Sequence, residues 1–404
     1  MLALLLARLW GADLLLVVQH AMAPVLRVGI VGCGEVAQTT HLPTLALLSH
    51  LYKVTALCDV SPGLLQHCAT KFGIEKTYND VSQLVKDPEV DVVFVLSADE
   101  YHASHAVAAA DAGKHVFIEK PMALTREDAQ AIIDAQERNK VVIFIGYMRR
   151  YAGAFERMKE ELKSVNKIRY VTVRDIIGHN HFFVNQSGVR RAFFASLRPS
   201  HPSLFLPSFP VSFSDFPADA SSDRSSRARA IANSALSPSQ ARSERDVATY
   251  RLLGSLGSHD LFAMRDLFGV PKRCIAATRS QGDDMPFISA LFDYGEFTAK
   301  YETGIDEVAD FDAHIEVFGD NKRLKLCYDT PYVKGLPITL EIEETDSSGH
   351  YSTRTIRPTY KDAYTLELEQ LYEAVVHGKP VKTDPKDAEE ELGVFELVMK
   401  ALVN

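Results

Sequence analysis

Five short apolar segments rich in β-branched residues recur in the first third of the chain, and helical patterns separate them. They span residues 25–31, 53–58, 91–96, 115–118 and 141–145. Parallel strands need long crossover connections, which helices usually supply, so this alternation constrains the fold more than any other feature. The sequence therefore predicts an α/β fold whose N-terminal part is a doubly wound parallel sheet.

The pattern changes after residue 146. A strand is predicted over 168–177, and alternating, strand-like segments follow one another with short turns between residues 273 and 344. Such segments are typical of a large open sheet that is mainly antiparallel. Two amphipathic helices, near 362–377 and 385–402, end the chain. This half is therefore predicted to be a second α/β domain.

A length of 404 residues supports a division into two domains. We place the first over residues 25–146 and the second over residues 147–404. Apolar residues make up 46% of the chain, which is typical of a globular protein.

The charge balance argues against several classes of partner. Lys and Arg total 44 against 53 Asp and Glu, a formal net charge of −9, whereas a nucleic-acid surface needs clustered basic charge. No segment of like charges indicates a membrane-binding surface. The five cysteines follow neither a metal-site nor a disulfide spacing. We therefore expect free thiols, no metal site, no nucleic-acid or membrane partner, and a cytoplasmic location.

The first 24 residues are apolar but carry Arg8 and Asp13. A membrane span needs about 20 nearly uncharged residues, so a span is not predicted here. We interpret residues 1–24 as a non-native or disordered extension, with Met22 as the working start. A targeting peptide is the alternative interpretation.

Residues 189–246 interrupt the second domain. They are rich in Ser, Pro, Arg and Ala without sustained periodicity, which predicts an irregular insertion that is either a functional loop or disordered. Residues 191–210 look least like folded protein. A wrongly retained segment is the leading interpretation of that piece, whereas the part that follows could form a real lid or loop.

A glycine-rich turn follows the first predicted strand. Residues 32–37 read GCGEVA, a G-x-G-x-x-A pattern between a strand and a helix. Glycines allow a tight turn and a close backbone approach to a pyrophosphate, and the helix N-terminus supplies N–H groups and a positive dipole end. The alternative is that the glycines only make a turn. The predicted dinucleotide-binding residues of this turn are Gly32, Gly34, Glu35 and Val36.

Asp59 lies 22 residues beyond Ala37, at the end of the second predicted strand. A carboxylate at this position accepts hydrogen bonds from the adenosine ribose. It also repels a 2′-phosphate, and no nearby Arg or Lys follows to neutralise one. The sequence therefore favours NAD over NADP. The structural alternative is that Asp59 caps a helix.

Lys120 directly follows the fourth predicted strand, within the sequence GKHVFIEKP at 113–121. The carboxyl edge of a parallel sheet is where ligands bind in such folds. Pro121 fixes the turn after it and could hold a cis peptide. This placement favours a functional lysine over a solvated surface charge.

At these motifs the sequence resembles the glucose-fructose oxidoreductase / inositol dehydrogenase / rhizopine catabolism (Gfo/Idh/MocA) family. The resemblance rests on GIVGCGEVA, Asp59, SADEYHASHAVAAADAGKHVFIEKPMA, GYMRRY and GSLGSHDLFAMRDLFG. It implies a Rossmann domain followed by an α/β domain whose open sheet binds substrate and mediates homo-oligomerisation. It also implies an NAD(P)-dependent oxidoreductase that transfers a hydride between nicotinamide and a secondary alcohol of a sugar, cyclitol or related polyol.

The resemblance further implies roles for individual residues. Lys120 matches the family's usual catalytic lysine, and His259 matches a histidine that commonly acts as acid or base and meets the substrate. Further cofactor contacts are expected from Ser97, His102 and Glu119. Substrate or cofactor contacts are expected after the last strand of the first domain, at Tyr147, Arg149 or Arg150.

Two positions depart from the family pattern. Ser255 stands where typical dehydrogenases of the family have an Asp, four residues before His259, and Ala98 stands where a Pro is frequent. A serine cannot ionise and so cannot tune a partner as a carboxylate does. A non-catalytic dinucleotide-binding sensor or regulatory protein is therefore the alternative function, and Lys120 and His259 argue against it.

Overall fold

The computed structural model describes residues 24–184, 215–280 and 286–402. Residues 1–23 and the whole of 191–210 lie outside the described residues, so the expectations for the N-terminal extension and for that piece of the insertion stay predictions.

The first sheet has six strands, all paired in parallel, in the order β3-β2-β1-β4-β5-β6. This order confirms the predicted doubly wound sheet. The order reverses between β1 and β4, and ligands of such sheets bind in the crevice at that reversal. The strands are Leu26–Val31 (β1), Tyr52–Cys58 (β2), Lys76–Tyr78 (β3), Val92–Val95 (β4), His115–Glu119 (β5) and Ile143–Gly146 (β6).

Helices connect these strands and have clear end signals. Ser61 and Thr125 each accept a backbone hydrogen bond from the first turn of the helix that follows. Such N-caps satisfy N–H groups that have no partner inside the helix. The connecting helices are Leu42–Leu47, Pro62–Phe72, Val81–Leu84, His102–Asp111 and Arg126–Asn139, and a π-helical turn at Ala37–His41 precedes the first.

The second sheet has eight strands in the order β14-β13-β12-β11-β7-β10-β9-β8. The β7–β10 pair is parallel and the other described pairs are antiparallel, which confirms the predicted open, mainly antiparallel sheet. The strands are Ile168–Gly178 (β7), Arg273–Arg279 (β8), Ile288–Asp293 (β9), Thr298–Asp306 (β10), Phe311–Gly319 (β11), Lys322–Tyr328 (β12), Thr339–Thr345 (β13) and Tyr351–Ile356 (β14).

Alternate residues of the second sheet face the core. On β11, Ala313, Ile315 and Val317 are buried, and the residues between them are partly exposed. This period of two shows that one face packs inside the domain while the other remains open in the single chain. Three of the helices in this half are Gly153–Leu162, Asn180–Val184 and Ser258–Phe268.

The prediction of an irregular insertion over 189–246 is wrong for its described part. Ala220–Ala235 forms a helix, and a second helix, Glu244–Leu252, begins before the insertion was expected to end. Only Ile231 and Ala232 of the first helix are buried. Sequence patterns reveal surface helices through a broad apolar stripe, and this helix has none.

The last two helices, Ala363–His377 and Pro385–Ala401, match the predicted pair and return to the first sheet. Leu368 shares an apolar core with β1 and β4, and its carbonyl oxygen accepts a hydrogen bond from the Tyr52 hydroxyl at 2.6 Å. The helix Ala363–His377 therefore packs beside the parallel sheet. Among the described helices none is long and apolar enough to cross a membrane.

Candidate active site

The two motif glycines have different surroundings. Gly32 has a φ of +94°, and a Cβ there would lie 2.6 Å from the backbone oxygen of Leu96, so only glycine fits where β1 and β4 end side by side. A Cβ on Gly34 would meet no atom within 4 Å. Gly34 thus faces open space at the start of the helical turn, which a pyrophosphate needs in order to approach the backbone.

Asp59 lies beside this turn. Its Oδ2 accepts a hydrogen bond from the Cys33 N–H at 2.8 Å, and its Oδ1 accepts one from the Ser61 N–H at 2.9 Å. Burial raises the pKa of Asp59, and these hydrogen bonds oppose the rise. The structure therefore brings together the glycine turn and the carboxylate predicted to bind ribose, and both fit a dinucleotide.

The helical start after the turn faces the second half of the chain. Glu35 Oε1 accepts a hydrogen bond from Asn180 Nδ2 at 3.2 Å, and burial raises the pKa of Glu35. Val36 is the N-cap of the π-helical turn and is partly buried.

His102 links two loops at the carboxyl edge of the sheet. Its Nδ1 lies 2.7 Å from the Pro121 carbonyl oxygen and its Nε2 lies 3.0 Å from the Ser97 carbonyl oxygen. The Ser97 hydroxyl in turn contacts His105 Nδ1 at 3.0 Å. His102 therefore holds the loops after β4 and β5 together, and its predicted cofactor contact stays a prediction.

Lys120 follows β5, and its peptide bond to Pro121 is cis. The Nζ atom donates a hydrogen bond to the Ser255 carbonyl oxygen at 2.6 Å. Ser255 belongs to a π-helical segment, Leu253–Gly257, a conformation that occurs often at functional sites. Burial lowers the pKa of Lys120, although the negative charge of Glu119 opposes this.

His259 lies in the first turn of the helix Ser258–Phe268, directly after the π-helical segment. Its Nδ1 is buried and has no hydrogen-bond partner among the described residues. Burial, together with the charges of Lys120 and Arg149, lowers the pKa of His259 well below its usual range. The structure thus places a neutral imidazole near the Lys120 ammonium, two residues that are distant in sequence.

Glu119 lies behind Lys120. Its Oε2 accepts a hydrogen bond from the Lys120 N–H at 3.0 Å, and its Oε1 lies 2.7 Å from His41 Nε2. Burial acts to raise the pKa of Glu119, but the contact with His41 and the charge of Lys120 outweigh it and the pKa is lowered. Glu119 is 4% exposed, so its carboxylate positions this loop from inside the protein.

Comparison with known proteins identifies the architecture. Residues 26–147 match the family description "Oxidoreductase family, NAD-binding Rossmann fold", and residues 245–403 match "Oxidoreductase family, C-terminal alpha/beta domain". The chain belongs to the Gfo/Idh/MocA oxidoreductase family.

Curated relatives match part of this Gfo/Idh/MocA protein. An inositol 2-dehydrogenase of Salmonella typhimurium is 41% identical over 141 residues, which are 34% of this chain and 42% of the relative. A myo-inositol 2-dehydrogenase of Thermotoga maritima is 34% identical over 139 residues, 34% of this chain and 41% of the relative. The chain therefore spans about two fifths of the length of the curated relatives it matches.

Solved structures match nearly the whole fold. A 3-ketoreductase of Actinomadura kijaniata, solved with NADP and TDP-benzene, has a TM-score of 0.67 at 16% identity, over 94% of this chain and 98% of that one. An oxidoreductase of Thermotoga maritima has a TM-score of 0.66 at 19% identity, over 94% and 97%. Both have the same overall fold as this chain.

Tyr147, one of the predicted substrate contacts of this family member, is 2% exposed. Its hydroxyl donates a hydrogen bond to Glu391 Oε2 at 2.5 Å, and its ring stacks on Phe262 with centroids 3.3 Å apart. Tyr147 therefore contacts protein groups among the described residues, and its predicted contact with substrate stays a prediction.

Arg149 is also inside the protein, with 3% exposed. Its Nη1 donates to Asp260 Oδ1 at 2.5 Å and its Nη2 donates to Asp175 Oδ2 at 3.0 Å. Its guanidinium lies 4.4 Å from the Tyr328 ring centroid. Burial alone would lower the pKa of Arg149, but Asp175 and Asp260 raise it. This cation joins β7, through Asp175, to the helix Ser258–Phe268, through Asp260, and its predicted substrate contact stays a prediction.

Arg150 likewise contacts protein groups. It donates hydrogen bonds to Asp266 and Asp387, each at 2.6 Å. The segment after β6 therefore contacts the helices Ser258–Phe268 and Pro385–Ala401.

Sequence analysis missed Glu391, on the helix Pro385–Ala401. Its Oε2 accepts the Tyr147 hydrogen bond, and its Oε1 is buried without a partner among the described residues. Burial raises the pKa of Glu391 to about 7, against the opposing effects of Tyr147, Arg265, Ser258 and Lys120. No local motif marks such a residue, because its contact is 244 positions away in sequence.

Proposed function

We propose that this Gfo/Idh/MocA protein is an NAD(P)-dependent oxidoreductase that transfers a hydride between nicotinamide and a secondary alcohol of a sugar, cyclitol or related polyol. The observation that carries the proposal is the pair formed by Lys120, whose pKa is lowered by burial, and His259, whose buried Nδ1 has no partner among the described residues. The pair lies at the carboxyl edge of the parallel sheet, where such folds bind ligands.

The glycine turn fits the cofactor. The open space at Gly34 accepts a pyrophosphate, and the Asp59 carboxylate accepts hydrogen bonds from the adenosine ribose. When bound, the nicotinamide supplies hydride exchange. Asp59 repels a 2′-phosphate, so we further propose that NAD is preferred over NADP.

Lys120 exchanges the proton of the alcohol. A lowered pKa increases the fraction of neutral amine, which accepts the hydroxyl proton as the carbinol carbon loses its hydride. The Ser255 carbonyl oxygen accepts one N–H of Lys120 Nζ whether the amine is charged or neutral. The lone pair of the neutral amine then points away from this carbonyl oxygen. The neutral ring of His259 assists by hydrogen bonding to the substrate oxygen.

The substrate class rests on the relatives. A 141-residue part of the chain is 41% identical to an inositol 2-dehydrogenase. Specificity depends on the pocket of the second domain, so the individual substrate is not proposed.

A substrate screen tests this function directly. Purified protein is incubated with NAD and a panel of cyclitols, polyols and sugars, and NADH absorbance is followed. We expect turnover with at least one compound, and Lys120→Ala should lower it by about 10²–10⁴-fold while NADH binding is retained. Lys53→Ala, at an exposed lysine on β2, is the matched control and should keep full activity. Full turnover by a folded Lys120→Ala variant would contradict the proposal.

A sensor or regulatory protein of the same fold is the second candidate. The observation in its favour is that Lys120 contacts a backbone carbonyl of Ser255, where the family pattern supplies a carboxylate. NADH binding without turnover across the whole panel would favour this candidate.

We also propose a homo-oligomer that associates through the open face of the second sheet. Arg174 on β7 pairs there with Glu302 and Asp312 on the neighbouring strands, each at 3.0 Å, and all three remain partly exposed in the single chain. Light scattering after size-exclusion chromatography tests this. A monomer at micromolar concentration would contradict it.

A further inference from the structure

A carboxylate occupies the N-terminus of the helix Pro62–Phe72. Asp215 Oδ2 accepts a hydrogen bond from the Gly63 N–H at 2.6 Å, and its Oδ1 accepts one from the Ser61 hydroxyl. The first N–H groups of a helix and its dipole favour a negative charge at this end. The hydrogen bond from Ser61 lowers the pKa of Asp215, so the group is an anion at neutral pH.

Ser61 connects this anion to the predicted ribose site. Its N–H donates to Asp59 Oδ1 at 2.9 Å while its hydroxyl donates to Asp215. The negative charge of Asp215 is also near enough to contribute to the raised pKa of Asp59, after burial. Two carboxylates therefore lie side by side at the end of β2.

Asp215 comes from the inserted segment, and other contacts hold that segment in place. The Tyr101 hydroxyl donates to Asp223 Oδ2 at 2.8 Å, and the Arg227 guanidinium lies 4.7 Å from the Tyr101 ring centroid. Arg224 pairs with Glu100 at 3.3 Å. The helix Ala220–Ala235 is thus attached to the turn that follows β4, on the same edge of the sheet as Asp59.

We propose that Asp215 is a specificity-determining residue that excludes NADP. In a Rossmann domain the carboxylate after the second strand contacts the ribose 2′-hydroxyl, so a 2′-phosphate would extend toward the neighbouring donors. Ser61 and Gly63 are those donors, and Asp215 already occupies both of them. Its charge adds to the repulsion from Asp59, whereas the 2′-hydroxyl of NAD needs neither donor. This inference rests on the proposed dinucleotide site.

Binding calorimetry with small probes tests the inference without turnover. The probes are 5′-AMP and 2′,5′-ADP, which differ only in the 2′-phosphate, followed by NAD and NADP. We expect Asp215→Ala to bind 2′,5′-ADP and NADP about tenfold more tightly, equivalent to about 1.4 kcal/mol. Affinity for 5′-AMP and NAD should stay within about threefold. Asp215→Asn removes the negative charge but keeps a side chain of the same shape, so it separates the effect of the charge from that of the whole carboxylate group.

The matched control is Asp219→Ala, which removes an exposed carboxylate from the same segment. It should leave all four affinities unchanged. An unchanged NADP-to-NAD ratio in Asp215→Ala, or the same gain in Asp219→Ala, would overturn the inference while leaving the dinucleotide site intact. If wild-type protein binds none of the four probes, the proposed function and this inference both fail.

Discussion

The Lys120 side chain is held by a backbone oxygen, the Ser255 carbonyl, at 2.6 Å from Nζ. A carbonyl orients the amine without adding a full negative charge beside it. A carboxylate at the same place would favour the charged ammonium form. Burial lowers the pKa of Lys120, and the uncharged Ser255 side chain adds no negative charge that would raise it.

Ser255→Asp should move the pH profile of alcohol oxidation. Oxidation needs the neutral amine, so kcat/KM rises as pH increases through the pKa of Lys120. A new negative charge raises this pKa, and we expect the rising limb to move by about one unit to higher pH. Ser255→Asn is the uncharged control of the same shape. Identical profiles of the Asp and Asn variants would contradict this account of the lysine.

Removing Arg149 should destabilise the protein strongly. Arg149→Met leaves the carboxylates of Asp175 and Asp260 buried without their cation, which we expect to cost about 3–5 kcal/mol. The midpoint of urea unfolding measures the effect. Arg169→Met, which breaks an exposed pair with Asp320, is the control and should leave the midpoint nearly unchanged. Equal effects of the two substitutions would show that the buried cluster is not a structural support.

Glu391 should make stability depend on pH. Its folded-state pKa of about 7 lies above that of an unfolded glutamate, so the native state holds this proton more tightly. The resulting stability is complete at about pH 4 and is lost as pH rises toward 7. Glutamine at position 391 does not ionise, so Glu391→Gln does not lose this stability. We therefore expect the free energy of unfolding of the variant, relative to that of wild type, to increase between pH 5 and 8.

The expected increase is on the order of 1–3 kcal/mol, measured by urea unfolding at each pH. Lys120, Arg265 and Tyr147 also face this carboxylate, so only the difference between variant and wild type is informative. Glu389→Gln, on the same helix, changes a carboxylate that pairs with Arg126 rather than Arg265, and should not reproduce it. A difference that does not change with pH would contradict the burial of a proton at Glu391.

Sequence patterns predicted the parallel sheet because four of its strands, β1, β4, β5 and β6, are almost entirely buried and are therefore mostly apolar. They missed β3, Lys76–Tyr78, which has three residues and no fully buried one. They also missed the helix Ala220–Ala235, because polar contacts from Arg224 and Asp223 attach it instead of an apolar stripe. The contacts of both elements produce no periodic pattern of apolar residues in the sequence.

Likewise, only some residues of the candidate site could be predicted from the local sequence. The glycine turn and Asp59 are close in sequence, so spacing alone predicted that they would act together. The approach of Lys120 to His259 depends on how two domains pack, and only a family resemblance indicated it. His41 and Glu391 contact Glu119 and Tyr147 across 78 and 244 positions, and no short motif records such contacts.

The glycine turn offers the most direct test of the central claim, which is that the chain binds a dinucleotide at this turn. Gly32→Ala should destabilise the fold, because the added Cβ would lie 2.6 Å from the Leu96 backbone. A Cβ added at Gly34 meets no atom within 4 Å, so Gly34→Ala should unfold at the wild-type temperature. The decisive measurement is a fluorescence titration of wild type and Gly34→Ala with NADH. We predict saturable binding by wild type and at least about tenfold weaker binding by the variant. No binding by wild type, or equal binding by both proteins, would contradict the account.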